Sequence, residues 1–310
     1  MRLSCLRLCC AAVAALAAQS ASGCSAIGSS DDGRPDVVAA FYPFAYVAQR
    51  VAGEHADVTN LTSPGLEPHD LELTPQQIAE LSDADVVIFE AGFQASVDDA
   101  VEQNPPAEVL EVIELLERKD AHTEHGKDHD ASAKSVLADD PHLWQNPTLL
   151  IPIAEQLAEH MAAADPDHAA DYRAGADDLI DDLNHLDDEF KQGLASCERR
   201  QIVTSHAAFG YLAERYDLIM TPIAGLTPDI EPSPENLAKI QDLIESEGIT
   251  TVFSETLGSK DYAETLATDL GVTAAVLDPI EGLEDQDSDE NYLSLMRQNL
   301  VALHEANDCS

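Results

Sequence analysis

Asp36-Val-Val-Ala-Ala-Phe41, with Pro43 two residues on and an apolar run reaching Val51, decides the fold. An unbroken apolar run leaves no polar face, so this strand is covered on both sides, as strands of a parallel sheet are. Proline is tolerated in the first turn of a helix, so the strand passes into a helix through Pro43 to Val51. The same pattern recurs down the chain. Val58–Leu61 reads as a short strand. Thr74-Pro75 opens a helix, with threonine as the cap and proline in the first turn. Asp85-Val-Val-Ile-Phe89 is the next apolar strand, followed by a helix near 95–103 and a strand at 108–112. In the second half, strands fall near 201–204, 218–223, 250–254 and 273–277, with helices near 207–217, 234–247, 260–270 and 289–307. Each half has about four strands alternating with helices, which predicts an α/β protein with parallel sheets.

Between the halves, Pro147 begins a helix to about Ala164, and Asp165-Pro166 caps another. Tyr172, Leu179, Leu183, Leu186 and Phe190 recur at helical spacing as far as Ala195. That stretch is about 30 residues, or ~45 Å, long enough to run down two lobes as a rigid connection. Residues 119–138 break the alternation, being polar and without periodicity.

The N-terminus reads as a processing segment. Arg2 and Arg7 precede a short apolar stretch from Leu8 to Ala18, well below the ~20 residues of a membrane span. Ala21-Ser-Gly-Cys24 has the form of a bacterial lipobox, in which Cys24 is freed and acylated. An ordinary signal peptide with an incidental cysteine is the simpler alternative. Residues 25–35 then form a flexible tether, and the mature chain is expected outside the cytoplasm, held at a membrane surface. Cys5, Cys9 and Cys10 leave with the signal. Cys197 and Cys309 remain as one pair in an oxidising compartment, either bonded or as two free thiols. The formal charge of −43 over 310 residues argues against nucleic acid and anionic lipid surfaces as partners.

Three histidines in turn-forming peptides carry the chemistry: Gly65-Leu-Glu-Pro-His69-Asp70, Asp139-Asp-Pro-His142-Leu-Trp144 and Thr204-Ser-His206-Ala-Ala-Phe209. Neutral imidazole is the commonest protein ligand for zinc and its neighbours. No His-Glu-x-x-His run places two ligands on one helix, so these residues form a site closed by tertiary structure. His206 directly follows a strand and His69 follows one by a loop, where ligands bind in open α/β sheets. A fourth donor is offered by Asp278 or Glu281 in Val276-Leu-Asp-Pro-Ile-Glu281, with Glu255 reading as a supporting partner of a ligand. Residues 121–130 hold a second His/acidic tract, with His122, His125 and His129 as candidates for loose metal binding.

With these motifs, the lipobox and Pro222-Ile-Ala-Gly-Leu-Thr-Pro-Asp-Ile-Glu-Pro-Ser233, the chain from about Val37 onward resembles the solute-binding lipoproteins of bacterial zinc and manganese ABC importers, the cluster A-I (cluster 9) family. The resemblance implies two Rossmann-like lobes joined by one long rigid helix, with metal in the inter-lobe cleft. It divides the chain into a signal peptide (1–23), a tether (24–35), an N-terminal lobe (36–164) with the His/acidic loop 119–138, a linking helix (165–196) and a C-terminal lobe (197–310). His69 and His142 would come from the first lobe, and His206 with Glu281, or alternatively Asp278, from the second. Manganese-type members tend to have Glu where His206 stands, and zinc-type members tend to carry a His/acidic loop, so the implied cargo is zinc, with manganese as the alternative. Three nitrogens also suit zinc better than the harder manganese ion. The family often has an aromatic residue where Leu71 stands and an apolar one where Gln145 stands, which bears on pocket shape alone.

The function implied is capture of zinc by a lipid-anchored monomer and delivery to an ABC-type permease, without catalysis. Two rivals stand beside it. A zinc hydrolase would need an open coordination position and a general base. An adhesin would bind host surfaces without metal.

Overall fold

The structure is a computed structural model that describes residues 33–123, 140–228, 230–285 and 287–310. Cys24, His125 and His129 lie outside them, and His122 falls in the last turn of a helix. The N-terminal half runs β1 (Asp36–Ala39), α1 (Tyr42–Ala52), β2 (Asp57–Asn60), α2 (Pro75–Asp83), β3 (Val86–Phe89), α3 (Ala95–Gln103), β4 (Glu108–Glu111) and α4 (Val112–Thr123). Two helices connect the halves, α5 (Leu150–Ala164) and α6 (Ala169–Gly193). The C-terminal half then gives β5 (Gln201–Thr204), α7 (Gly210–Tyr216), β6 (Ile219–Pro222), α8 (Pro234–Glu247), β7 (Thr251–Ser254), α9 (Asp261–Leu270), β8 (Thr273–Val276) and α10 (Tyr292–Ala306). No helix among the described residues is long and apolar enough to cross a membrane.

Both sheets are parallel, and their strand orders, β2-β1-β3-β4 and β6-β5-β7-β8, are equivalent. In each, the chain leaves a central strand to one side, then returns to pair on the other. That reversal lies between β1 and β3 in the first sheet, and between β5 and β7 in the second. Helices diverge there, so a crevice opens at the carboxyl ends of the central strands. The apolar β3 and the mixed β7, Thr251-Val-Phe-Ser254, are both buried along their whole length, as strands covered on both faces are.

The connecting helix α6 has 25 residues, or ~37 Å. It starts later than the Asp165-Pro166 cap suggests, because the Asp165 carboxylate accepts from the Asp167 amide and folds Pro166–His168 into a 3-10 turn first. Pro147 likewise opens a 3-10 turn before α5. In contrast, α4 extends to Thr123, into the tract read as irregular, since Glu, Arg and Lys sustain a helix well.

One face of α6 buries Tyr172, Leu179, Leu183, Leu186 and Phe190. Its charges fasten both halves. Asp182 takes Arg50 of α1 at 2.7 Å, Asp187 receives Arg215 of α7 through two bonds of 2.9 and 2.8 Å, and Glu189 takes Arg297 of α10 at 2.7 Å. The halves also meet directly. Trp144 donates its indole N–H to the Pro279 carbonyl at 2.6 Å, Gln145 donates to the same oxygen, and the Tyr292 hydroxyl donates to the Trp144 carbonyl at 2.6 Å. A single apolar core runs through both, from Val37 to Ala306, and a smaller one around Val252 lies under the second sheet. Cys197 and Cys309 are bonded, tying the start of the C-terminal half to the segment just past its last helix.

Gly175 marks where α6 crosses α1. A β-carbon there would stand 2.7 Å from the carbonyl oxygens of Arg50 and Val51. Alanine is the better helix former by about 1 kcal/mol, yet the two backbones would have to separate. We therefore expect Gly175→Ala to lower stability by about 1–3 kcal/mol in urea denaturation, against the sign that helix propensity gives.

Candidate metal centre

Each histidine is presented by a short, internally bonded turn. His69 closes the loop after β2, where the Gln94 side-chain amide donates to the Pro68 carbonyl and to Thr62 Oγ1, both at 3.0 Å. His142 follows Pro141 directly. Asp140 Oδ1 accepts from the His142 amide at 2.9 Å and from its Nδ1 at 2.7 Å. His206 leaves the end of β5, and Glu255 leaves the end of β7, so the two stand on either side of the reversal in the second sheet. Glu255 Oε1 accepts from the His206 amide at 3.1 Å, from His206 Nδ1 and from the Ser205 hydroxyl. With Nδ1 of His142 and of His206 committed to a carboxylate, the Nε2 lone pair of each faces the crevice.

Glu281 stands in the turn after β8. Asp278 builds that turn, accepting from the Ile280 amide and from the Thr256 hydroxyl at 2.7 Å each, while Asn299 bonds the Asp278 amide and carbonyl at 2.8 and 2.7 Å. Ile280 is held at φ 58°, a left-handed conformation that costs a β-branched residue about 1–3 kcal/mol. This bend carries Glu281 inward. It is 1 % exposed, and its Oε1 lies 3.5 Å from His69 Nε2, 3.2 Å from His142 Nε2 and 3.3 Å from His206 Nε2.

The structure thus brings together His69, His142, His206 and Glu281, whose ligand atoms all lie within 4.8 Å of one another. Asp278 is spent on the turn and does not join them. Those four atoms are buried, and none has a hydrogen-bond partner. Four polar atoms left unsatisfied at one point are costly, and a cation at their centre would satisfy all of them. The spacing suits a small divalent ion. Bonds of ~2.0–2.1 Å in a tetrahedron place ligand atoms ~3.3–3.4 Å apart, close to the three distances from Glu281.

Protonation follows the same geometry. Burial would raise the Glu281 carboxyl, but the imidazoles of His142, His206 and His69 hold it well below the usual carboxylate range. Burial would lower His206, but Glu255 and Glu281 push it up to about 10. His142 is raised against burial by Asp140 and Glu281. A metal-free cluster therefore keeps its charges balanced by holding protons on imidazole.

Two contributors escaped the sequence reading. Asp140 orients His142, and its only signal was a carboxylate two residues before a Pro-His step. Glu67, in the first histidine motif, accepts from the His69 amide at 3.3 Å and is pushed up to about 8 by burial and by the charge of Glu281. Gly258 faces Glu255 closely, since a β-carbon there would lie 2.8 Å from Glu255 Oε2.

A second cluster, His55, His168 and Asp171, lies elsewhere on the fold.

Known proteins resemble this chain in sequence and fold. The family model of the zinc-uptake complex component A, periplasmic (ZnuA), matches residues 37–306. The high-affinity zinc uptake system protein ZnuA of Bacillus subtilis (strain 168) is 32% identical over 297 residues, spanning 92% of each chain. The zinc-binding lipoprotein AdcA of Streptococcus pneumoniae R6 is 32% identical over 294 residues, 89% of this chain but 56% of its own, so the match spans little more than half of that relative. The crystal structure of the Zn(II)-bound ZnuA-like domain of S. pneumoniae AdcA superposes with a TM-score of 0.72 at 30% identity, covering 89% of this chain and 100% of the domain. The laminin-binding protein Lmb of Streptococcus agalactiae, described as bifunctional with adhesin and metal transporting activity, gives 0.74 at 26% identity, over 88% and 99% of the two chains. With nearly its whole described length matched, and two equivalent parallel sheets around a buried His/Glu cluster, the chain belongs to the ZnuA family of zinc-uptake components.

Proposed function

We propose that this protein captures one zinc ion outside the cytoplasm and delivers it to an ABC-type permease. The observation that carries this reading is the convergence of four buried, unpartnered ligand atoms within 4.8 Å of one another. In it, His69, His142 and His206 bind through Nε2 and Glu281 through Oε1. Three nitrogens and one oxygen in a closed four-fold shell favour zinc over manganese, which prefers oxygen donors. The same closure argues against hydrolysis, because a carboxylate takes the position an activated water would need. The protein is thus a carrier and not an enzyme.

Delivery follows from how the ligands divide. His69 and His142 belong to the N-terminal half, His206 and Glu281 to the C-terminal half, so docking that parts the halves breaks the shell in two. The protein acts as a monomer anchored through acylated Cys24, and His122, His125 and His129 offer a loose auxiliary metal site.

Metal analysis of the purified protein should give one tightly held zinc, with affinity falling more than about 100-fold in His69→Ala or His206→Ala, since ligands matter more than their outer partners. Tight manganese with negligible zinc would overturn the assignment.

Glu255→Gln keeps all four ligands but removes the charge that fixes the His206 ring. It should weaken zinc roughly 10–100-fold and flatten the pH dependence of binding.

Zinc must displace the protons held by His142 and His206, so calorimetry in buffers of different ionisation enthalpy at neutral pH should register proton release, and affinity should climb with pH. Stability of the metal-free protein runs the other way. The stabilising share of His206 is complete below its ordinary value of 6.5 and lost as pH rises toward about 10. That of Glu281 is present above 4.5 and lost on acidification. Thermal melts of the metal-free form should therefore decline from pH 6.5 to 10 while zinc affinity rises across the same range.

A further inference from the structure

We propose that His55, His168 and Asp171 form a second, peripheral metal site, built to take a borderline divalent ion such as zinc, nickel or copper. One nitrogen of each imidazole and a carboxylate oxygen of Asp171 lie within 4.8 Å of one another. His55 sits in the turn between α1 and β2, beside the strand starts paired through Asp36 and Asp57. That is the amino edge of the first sheet, away from the carboxyl edge that feeds the buried cluster. His168 and Asp171 come from the start of the connecting helix, so the site joins segments more than a hundred residues apart in the chain.

The geometry is prepared for a cation in three respects. His168 Nδ1 lies 2.7 Å from Asp165 Oδ2, which fixes the ring and leaves Nε2 as the free lone pair. Asp165 is itself positioned, since it accepts from the Asp167 amide at 3.2 Å and lies 2.9 Å from the Tyr172 hydroxyl. That hydroxyl also lies 2.9 Å from the His55 carbonyl oxygen, so one buried tyrosine, sharing its single proton between the two acceptors, sits against both histidine-bearing segments. The two imidazoles stack with centroids 4.2 Å apart, and His55 Nε2 is 3.7 Å from Asp171 Oδ2. Bonds of ~2.0–2.2 Å span up to ~4.3 Å between ligand atoms, so with His168 held on Asp165 the set closes by a turn of the part-exposed His55 ring, which brings its lone pair round from the stack, and a swivel of the exposed Asp171 side chain.

Two imidazoles and one carboxylate select ions of the zinc, nickel and copper group, whereas magnesium and calcium prefer all-oxygen shells. The three donors are part-exposed and water completes the shell, so binding is weaker than in the buried cluster. A metal held there would pin the α1–β2 turn to the head of α6. The site does not depend on the buried cluster or on the reading of its cargo.

The test is a zinc titration of the full chain carrying His122→Ala, His125→Ala and His129→Ala, which removes the competing His/acidic tract. Calorimetry and metal analysis should find a second, weaker equivalent after the first. His55→Ala or His168→Ala should abolish it with the first equivalent intact and the circular dichroism spectrum unchanged. Asp165→Asn, which leaves all three donors in place, should weaken it roughly tenfold. Imidazole resonances of His55 and His168 should move together with the second equivalent, and magnesium should leave them unmoved. A single equivalent in the parent, or a second one that survives both His→Ala changes, would overturn the proposal.

Discussion

A buried carboxylate that faces three imidazoles governs this molecule. Glu281 stands at the hub, with one oxygen 3.2 to 3.5 Å from the Nε2 atoms of His69, His142 and His206. A carboxylate cannot be taken out of water without opposite charge, so protons or a cation must always occupy its neighbourhood. The histidines come from both halves of the chain, which makes charge balance a property of the closed molecule. Neither sheet could bury its share alone.

The scaffold is suited to that demand. Trp144 and Gln145 seize the Pro279 carbonyl from across the boundary, two residues before Glu281. The left-handed Ile280 is sustained by Asp278, itself held by Thr256 and Asn299. Rigid presentation of the carboxylate thus rests on residues that touch no ligand atom. The connecting helix adds its own clamps through Asp182, Asp187 and Glu189, so the halves meet as firm bodies.

Much of this was legible in the sequence, for identifiable reasons. Central strands such as Val86–Phe89 announce themselves because a strand covered on both faces must be apolar throughout. Proline and serine beside the three histidines mark turns, and turns at strand ends are where α/β sheets place ligands. The choice between Asp278 and Glu281 was not legible, since both lie in one turn. Which of them points inward depends on a positive φ at a β-branched residue, against local preference. The shorter connecting helix was hidden for a similar reason. Asp165-Pro166 reads as the start of the helix, while a carboxylate–amide bond tightens residues 166–168 into a 3-10 turn first. Asp140 went unnoticed because its role requires knowing which way the His142 ring turns.

The close approach of Gly258 to Glu255 has a consequence for how affinity drifts between related proteins. Any side chain added there leans on a carboxylate whose other oxygen already serves three donors, and through it on the His206 ring. Grip on the cargo could be loosened or retuned by mutation at a plain loop glycine, with every coordinating atom unchanged. Comparing coordinating residues alone would rate two such proteins as equals, although one releases its ion far more readily.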